Sequence, residues 1–152
     1  MPFNIALVYP QIPNNTGNVG RLCVATNSTL HLIKQLGFEL TEKRLRRAGL
    51  DYWQHLKYIC YENLDEFFQK NSKENFHFFS SHSKTIYWDH QYREKDFLVF
   101  GREEDGLPED LLKKQAKNTL SIPMCSEKVR SLNLANSVSI VLYEALRQIV
   151  QP

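Results

Sequence analysis

The stretch FNIALVYPQIPNNTGNVGRLCVATNS, residues 3–28, decides the fold. Phe3 to Tyr9 is a short run rich in β-branched and aromatic residues and reads as a strand. A polar turn follows, and Gly17 to about Ser28 reads as a helix. Strand, turn and helix make a βα unit, and the same rhythm continues along the chain. Leu30 to Lys34, Lys57 to Tyr61 and Asn75 to Phe79 read as strands. A helix capped by Thr41 runs to Ala48, and Asn63 caps another through Lys70. Phe97 to Phe100 is apolar throughout, as a strand buried on both faces requires. Pro108 opens a helix, Leu120 to Ile122 is a short last strand, and Asn133 to about Val150 is the longest helical pattern. Alternation of this kind predicts one α/β domain over residues 1–152, with a mainly parallel sheet and helices on both faces.

In the last helix Leu134, Val138, Val141, Leu142, Ala145 and Ile149 share one side, widened by Leu146 and Val150. A stripe that broad suits two partners, the protein's own sheet and a second subunit; a deeply buried helix in a monomer accounts for it equally well. The formal charge of +2 is too small to announce a nucleic-acid binder, so any case for RNA rests on local features. Cys23, Cys60 and Cys125 lack metal-ligand spacing, which points away from a zinc site or a disulfide framework. No apolar run approaches the ~20 residues of a membrane span, and Met1 to Ile5 lacks the design of a signal peptide. The expected compartment is the cytoplasm.

Three polar stretches fall after strands, where open α/β sheets bind ligands. In the first, Asn14 to Asn18 feed a helix N-terminus whose free N–H groups suit a phosphate, or simply form a turn and cap. On that helix Arg21 lies ~200° from Val19 and points away from the core. In the second, Gly101-Arg102-Glu103-Glu104-Asp105-Gly106-Leu107-Pro108 follows the most apolar strand, and Gly101 permits close ligand approach. In the third, Arg130 to Ser139 enters the long helix with Asn136, Ser137 and Ser139 near its buried start, where polar groups need partners. Ser131 or Asn133 capping the helix satisfies one of them, and a ligand is the alternative for the rest. A basic segment, Lys43, Arg44, Arg46 and Arg47, precedes Tyr52, Trp53 and His55, an arrangement suited to phosphates and unstacked bases or to a solvated helix face.

Taken in order, Ile12-Pro13 through Asn15-Thr16-Gly17-Asn18 to Arg21-Leu22-Cys23, Phe100-Gly101 with Glu103 and Gly106-Leu107-Pro108, and Arg130-Ser131-Leu132-Asn133-Leu134 with Asn136 resemble the SPOUT class of RNA methyltransferases. The resemblance covers nearly the whole chain. Within the class it is similar to the small tRNA (cytidine/uridine) ribose 2′-O-methyltransferases acting at the wobble nucleotide, a subgroup also suggested by residues 37–52. It implies an α/β fold with a C-terminal deep trefoil knot, S-adenosylmethionine as methyl donor, no metal, and a homodimer that completes each site on a tRNA anticodon stem-loop. By the same resemblance, Phe79, Gly101, Ile122 and Ser131 border the cofactor, while Asn15, Asn18, Lys43, Arg44, Arg46, Arg47 and Tyr52 meet RNA. Arg21 is expected to contact the ribose 2′-OH or the adjacent phosphate and assist removal of the proton, with removal through a phosphate or water an equal alternative, with Glu103 holding Arg21 and with Ser131 and Asn133 orienting the nucleotide. Arg102 and Ser80-Ser81-His82-Ser83 depart from the family's usual residues. The rivals are a ribosomal RNA methyltransferase, a non-catalytic RNA-binding module and a flavodoxin-like nucleotide binder.

Overall fold

The computed structural model describes residues 2–37 and 52–150. The helix expected over Thr41 to Ala48, with Lys43, Arg44, Arg46 and Arg47, lies outside the described residues.

The most apolar runs form the middle of a six-stranded sheet. Its strands are β1 (Asn4–Val8), β2 (Thr29–Ile33), β3 (Tyr58–Tyr61), β4 (Phe76–Phe79), β5 (Phe97–Phe100) and β6 (Thr119–Leu120), ordered β3-β2-β1-β5-β4-β6. Every strand pairing is parallel. In β2 and β5 all residues are buried, as strands covered on both faces must be. Among the described residues four helices cover the sheet: α1 (Pro13–Thr26), α2 (Leu64–Lys70), α3 (Glu109–Lys114) and α4 (Leu134–Ile149).

Alternation along the strands divides the core in two. Ile5 and Leu7 of β1 pack with Val19 and Cys23 of α1 and with Val138, Val141 and Leu142 of α4. Ala6 and Val8 point the other way, toward Phe67 of α2 and Leu111 of α3. Each large apolar side chain so buried is worth about 1.5–3 kcal/mol. The three cysteines are free, and burial pushes the Cys23 thiol up to about 12, so it packs as an inert apolar group.

Two boundaries differ from the expectation in ways that bear on function. Helix α1 begins at Pro13, four residues before Gly17, because proline suits the first helical position and supplies no orphan N–H. Asn14 to Asn18 are therefore helical rather than a turn. The last strand is shorter than Leu120 to Ile122, and Ser121 beyond it bridges Ile86. The end of β6 is thus held between β4 and the segment that follows β4, with Ser80 N–H donating to Leu120 O at 2.9 Å and Tyr87 N–H to Ser121 O at 2.9 Å.

Candidate active site

The loops leaving β4, β5 and β6 at their carboxyl ends enclose a cavity of about 420 Å³, within the range of pockets that hold drug-sized ligands. Phe79 to His82 form one wall, Phe100 to Leu107 a second, and Ile122, Met124 and Arg130 to Leu132 a third, with Leu112, Leu134 and Ser137 closing it. Phe79 and Phe100 stack at 4.7 Å between ring centroids, giving the floor a flat apolar surface. The second wall is a tight loop. Arg102 and Gly106 exchange backbone hydrogen bonds of 3.3 and 3.0 Å, and Gly106 has φ +69°. A Cβ on Gly101 would lie 2.0 Å from the Gly106 carbonyl carbon, so only glycine lets the loop fold back on itself. Arg102 pairs with Asp105 in the same loop.

Beside the cavity, Tyr9 follows β1 at φ +58°, a conformation costly for a bulky residue and here associated with a sharp turn into α1. The turn brings the chain against Glu103. One carboxylate oxygen of Glu103 accepts from Gln11 N–H at 2.9 Å, and the other accepts from Ile12 N–H at 3.0 Å and from Asn15 Nδ2 at 3.3 Å. Asn15 Oδ1 in turn accepts from Asn133 Nδ2 at 3.0 Å. Asn133 also caps α4, its side chain accepting from Asn136 N–H at 3.1 Å. The three polar stretches of the sequence thus meet in one hydrogen-bonded series.

Residues 2–143 match the SpoU rRNA Methylase family. The chain belongs to this family. A protein of Listeria monocytogenes serotype 4b (strain F2365) is 49% identical over 151 residues, 97% of this chain and 89% of its own length. The tRNA (cytidine(34)-2′-O)-methyltransferase of Saccharophagus degradans is 44% identical over 97% of this chain and 96% of its own. A solved structure concerned with the 2-OH methylation of C/U34 on tRNA superposes with a TM-score of 0.90 at 40% identity, covering 97% of this chain and 95% of that one. The SpoU methyltransferase AviRb of Streptomyces viridochromogenes has the same fold, with a TM-score of 0.82 at 22% identity over 96% of this chain and 57% of its own.

In this SpoU-family chain Phe79, Gly101, Ile122, Ser131 and Glu103 all border the one cavity. Arg21 does not. It is exposed on α1, over the Tyr52 ring at 5.8 Å from the centroid, and forms no ion pair among the described residues. The expectation that Glu103 holds Arg21 is therefore corrected: the carboxylate sits at the positive end of α1, where two backbone N–H groups and an amide satisfy it. The same carboxylate takes the place expected for a phosphate at that helix start. Asn15, expected to meet RNA, is 6% exposed with both ends of its amide engaged, so it links protein to protein. Asn18 is exposed. Tyr52 is half-buried, its hydroxyl donating to Gly17 O at 2.7 Å.

The two serines of α4 have partners within the helix, and Asn136 is exposed. Ser137 donates to Asn133 O at 3.1 Å and Ser139 to Ala135 O at 2.9 Å, both back along the helix. Sequence reasoning missed His82, Met124, Arg130 and Leu112 as cavity residues. Arg130 opens the third motif and His82 lies in the loop that departs from the family's usual residues, so both were within reach; Leu112 enters from α3, which no motif marks.

Proposed function

We propose that this protein transfers the methyl group of S-adenosylmethionine to the ribose 2′-OH of the wobble pyrimidine in a tRNA anticodon loop. The observation that carries the reading is the meeting of all three motif loops in one ligand-sized cavity, in a chain 44% identical over nearly full length to a tRNA (cytidine(34)-2′-O)-methyltransferase.

The cavity suits the cofactor in its chemistry. Phe79, Phe100, Leu107 and Ile122 offer apolar surface for a purine, and the loop around Gly101 and Ser131 offers backbone and hydroxyl partners for polar groups. When bound, S-adenosylmethionine supplies an electrophilic methyl on a sulfonium sulfur. The protein's own work is to align the ribose oxygen, keep water out and see its proton removed. Arg21 presents a guanidinium cation with a planar fork of donors, so it acts by holding the ribose or its phosphate and stabilising developing negative charge. Ser131, at the cavity wall, orients the nucleotide.

No residue of α1 borders the cavity among the described residues, so Arg21 meets the reacting group from a second copy of the chain. Exposed Ile12, Leu132, Tyr143 and Val150, 36–55% accessible, support a homodimer that joins the α1 and α4 sides of two copies. Arg21, Asn18 and Tyr52 then belong to the RNA face together with Lys43, Arg44, Arg46 and Arg47. The reading includes a C-terminal trefoil knot around β6. Among the described residues no helix is long and apolar enough to cross a membrane, consistent with work on tRNA in the cytoplasm.

The test is transfer of labelled methyl from S-adenosylmethionine to tRNA lacking wobble ribose methylation, with digestion to nucleosides. Labelled 2′-O-methylpyrimidine from the anticodon loop is expected. Label in ribosomal RNA alone would favour the ribosomal rival, and no transfer to either would overturn the enzymatic reading.

A further inference from the structure

We infer that Tyr58, at the sheet edge beside α1, is a stacking platform for an unpaired base of the anticodon loop other than the wobble base. The inference rests on the proposed methyl transfer to tRNA and adds a subsite for that substrate away from the reacting ribose. Tyr58 opens β3, the outermost strand of the sheet. Alternation sets its side chain on the same face as that of Cys60, which packs against the core beneath α1 and α4. This is the face that carries Arg21.

A lone exposed tyrosine is commonplace; this one is 44% exposed and firmly backed. The ring of Trp53, 8% exposed, lies 5.2 Å from that of Tyr58 between centroids. Trp53 is itself wedged against α1, where a Cβ on Gly20 would stand 3.1 Å from the indole. Tyr52 donates its hydroxyl to Gly17 O at 2.7 Å and lies beneath the Arg21 guanidinium, 5.8 Å from the ring centroid. Arg21, Tyr52, Trp53 and Tyr58 therefore form one contiguous series from α1 to the sheet edge, anchored at Gly17 and Gly20. A ring held in this way has little freedom left to lose when a base stacks on it.

Charge selects the occupant. Residues 43–60 hold five Lys and Arg and a single Asp, in a chain whose net charge is +2, and residues 52–60 contain no acid. Cations beside a rigid aromatic face fit single-stranded nucleic acid, whose unpaired bases stack on rings while its phosphates meet the cations. A protein partner would find little apolar surface here, because Tyr58 and Ile59, the exposed large apolar residues of β3, point to opposite faces. With Arg21 acting at the cavity of a second copy, the platform grips the loop on one copy by a base the reaction does not touch, while the wobble ribose enters the cavity of the other.

The test measures binding of a fluorescein-labelled anticodon stem-loop RNA in which each unpaired loop nucleotide other than the wobble one is made abasic in turn. Wild type should lose roughly 10-fold in affinity at one position, the size of a single base–aromatic stack. Tyr58→Ala should lose as much on the intact RNA and no more on that abasic RNA. Stacking releases no counterions, so the loss should be the same at about 50 and 200 mM salt. On tRNA, KM should rise by a similar factor with kcat unchanged. Tyr58→Phe keeps the ring and should match wild type; Tyr58→Leu keeps bulk alone and should match Tyr58→Ala. Losses that simply add at every abasic position would overturn the inference, and so would a Tyr58→Ala variant that binds RNA normally but sediments differently, which would assign this edge to a protein contact. Coupling without methylation of any tRNA would leave the platform standing and sink the functional reading; methylation without coupling would sink the platform alone.

Discussion

On the face of the sheet covered by α2 and α3, Phe67 meets Tyr61, Phe76 and Phe97 with ring centroids 5.1, 5.7 and 5.8 Å away, and polar side chains enter only as fully partnered groups. On the face covered by α1 and α4, the helices pack on apolar residues as well, but their starts are pinned by the carboxylate of Glu103 and the amides of Asn15 and Asn133. Apolar packing tolerates small displacements at small cost, whereas a hydrogen bond fixes direction as well as distance. The first face supplies stability. The second adds registration, and it is the face that carries Arg21.

If that division is right, the largest loss of stability comes from the aromatic face and leaves the site's chemistry alone. Phe67→Ala should cost about 3–5 kcal/mol, read as a lower urea midpoint, because the ring is fully buried and its neighbours cannot collapse into the space. The variant should still bind S-adenosylhomocysteine under conditions where it is folded; weakened binding by the folded form would break the division.

A second, somewhat smaller effect is a pH dependence on the same face. His31 is buried against Tyr61, Phe67 and Phe97, its ring nitrogens within 2.8 Å of Tyr61 Oη and 2.9 Å of Asn4 Oδ1, and burial lowers its pKa to about 4. The unfolded chain, with an ordinary histidine pKa of about 6.5, then binds the proton more readily. The stability due to this group is present above about pH 6.5 and is lost as pH falls toward about 4, by up to about 3 kcal/mol. Urea unfolding from pH 7 to pH 4.5 should show the loss, and His31→Gln should flatten it. Asp96 works in the same direction: burial alone would raise its pKa, but hydrogen bonds from His77, the Arg93 N–H and Asn75 hold it below the usual carboxylate range.

On the other face Asn133→Ala removes the α4 cap and should cost about 1 kcal/mol. The decisive contrast is that this small change in stability should accompany a fall in kcat much larger than any seen for Phe67→Ala in its folded state. Equal effects on turnover would erase the distinction between the faces.

The same contrast explains what was legible in the sequence. Phe97 to Phe100, the alternation of β1 and the stripe from Leu134 to Ile149 record burial, and burial is written in residue type and period, so the parallel sheet and both helix layers could be read from them. The hydrogen bonds that register α1 against the cavity join residues 88 to 118 positions apart, and no local pattern encodes such a pairing. Hence Glu103 could be recognised as belonging to the site while its partner was misassigned: the resemblance suggested an ion pair with Arg21, yet the positive end of α1 was the nearer claimant. Pro13 was the available signal for the helix start, and placing the start at Gly17 moved the free N–H groups away from Gln11 and Ile12, the two that Glu103 accepts from. Order along the chain and family resemblance supplied the cavity loops; geometry alone separated Arg21 from them.

The most direct test of the account is therefore Arg21→Ala, with S-adenosylhomocysteine binding measured by calorimetry and methyl transfer to tRNA measured on the same preparation. Exposed and without an ion pair among the described residues, Arg21 should contribute less than about 0.5 kcal/mol to stability. The account predicts unchanged cofactor binding and abolished turnover. Retained turnover, or lost binding in a folded protein, would contradict it.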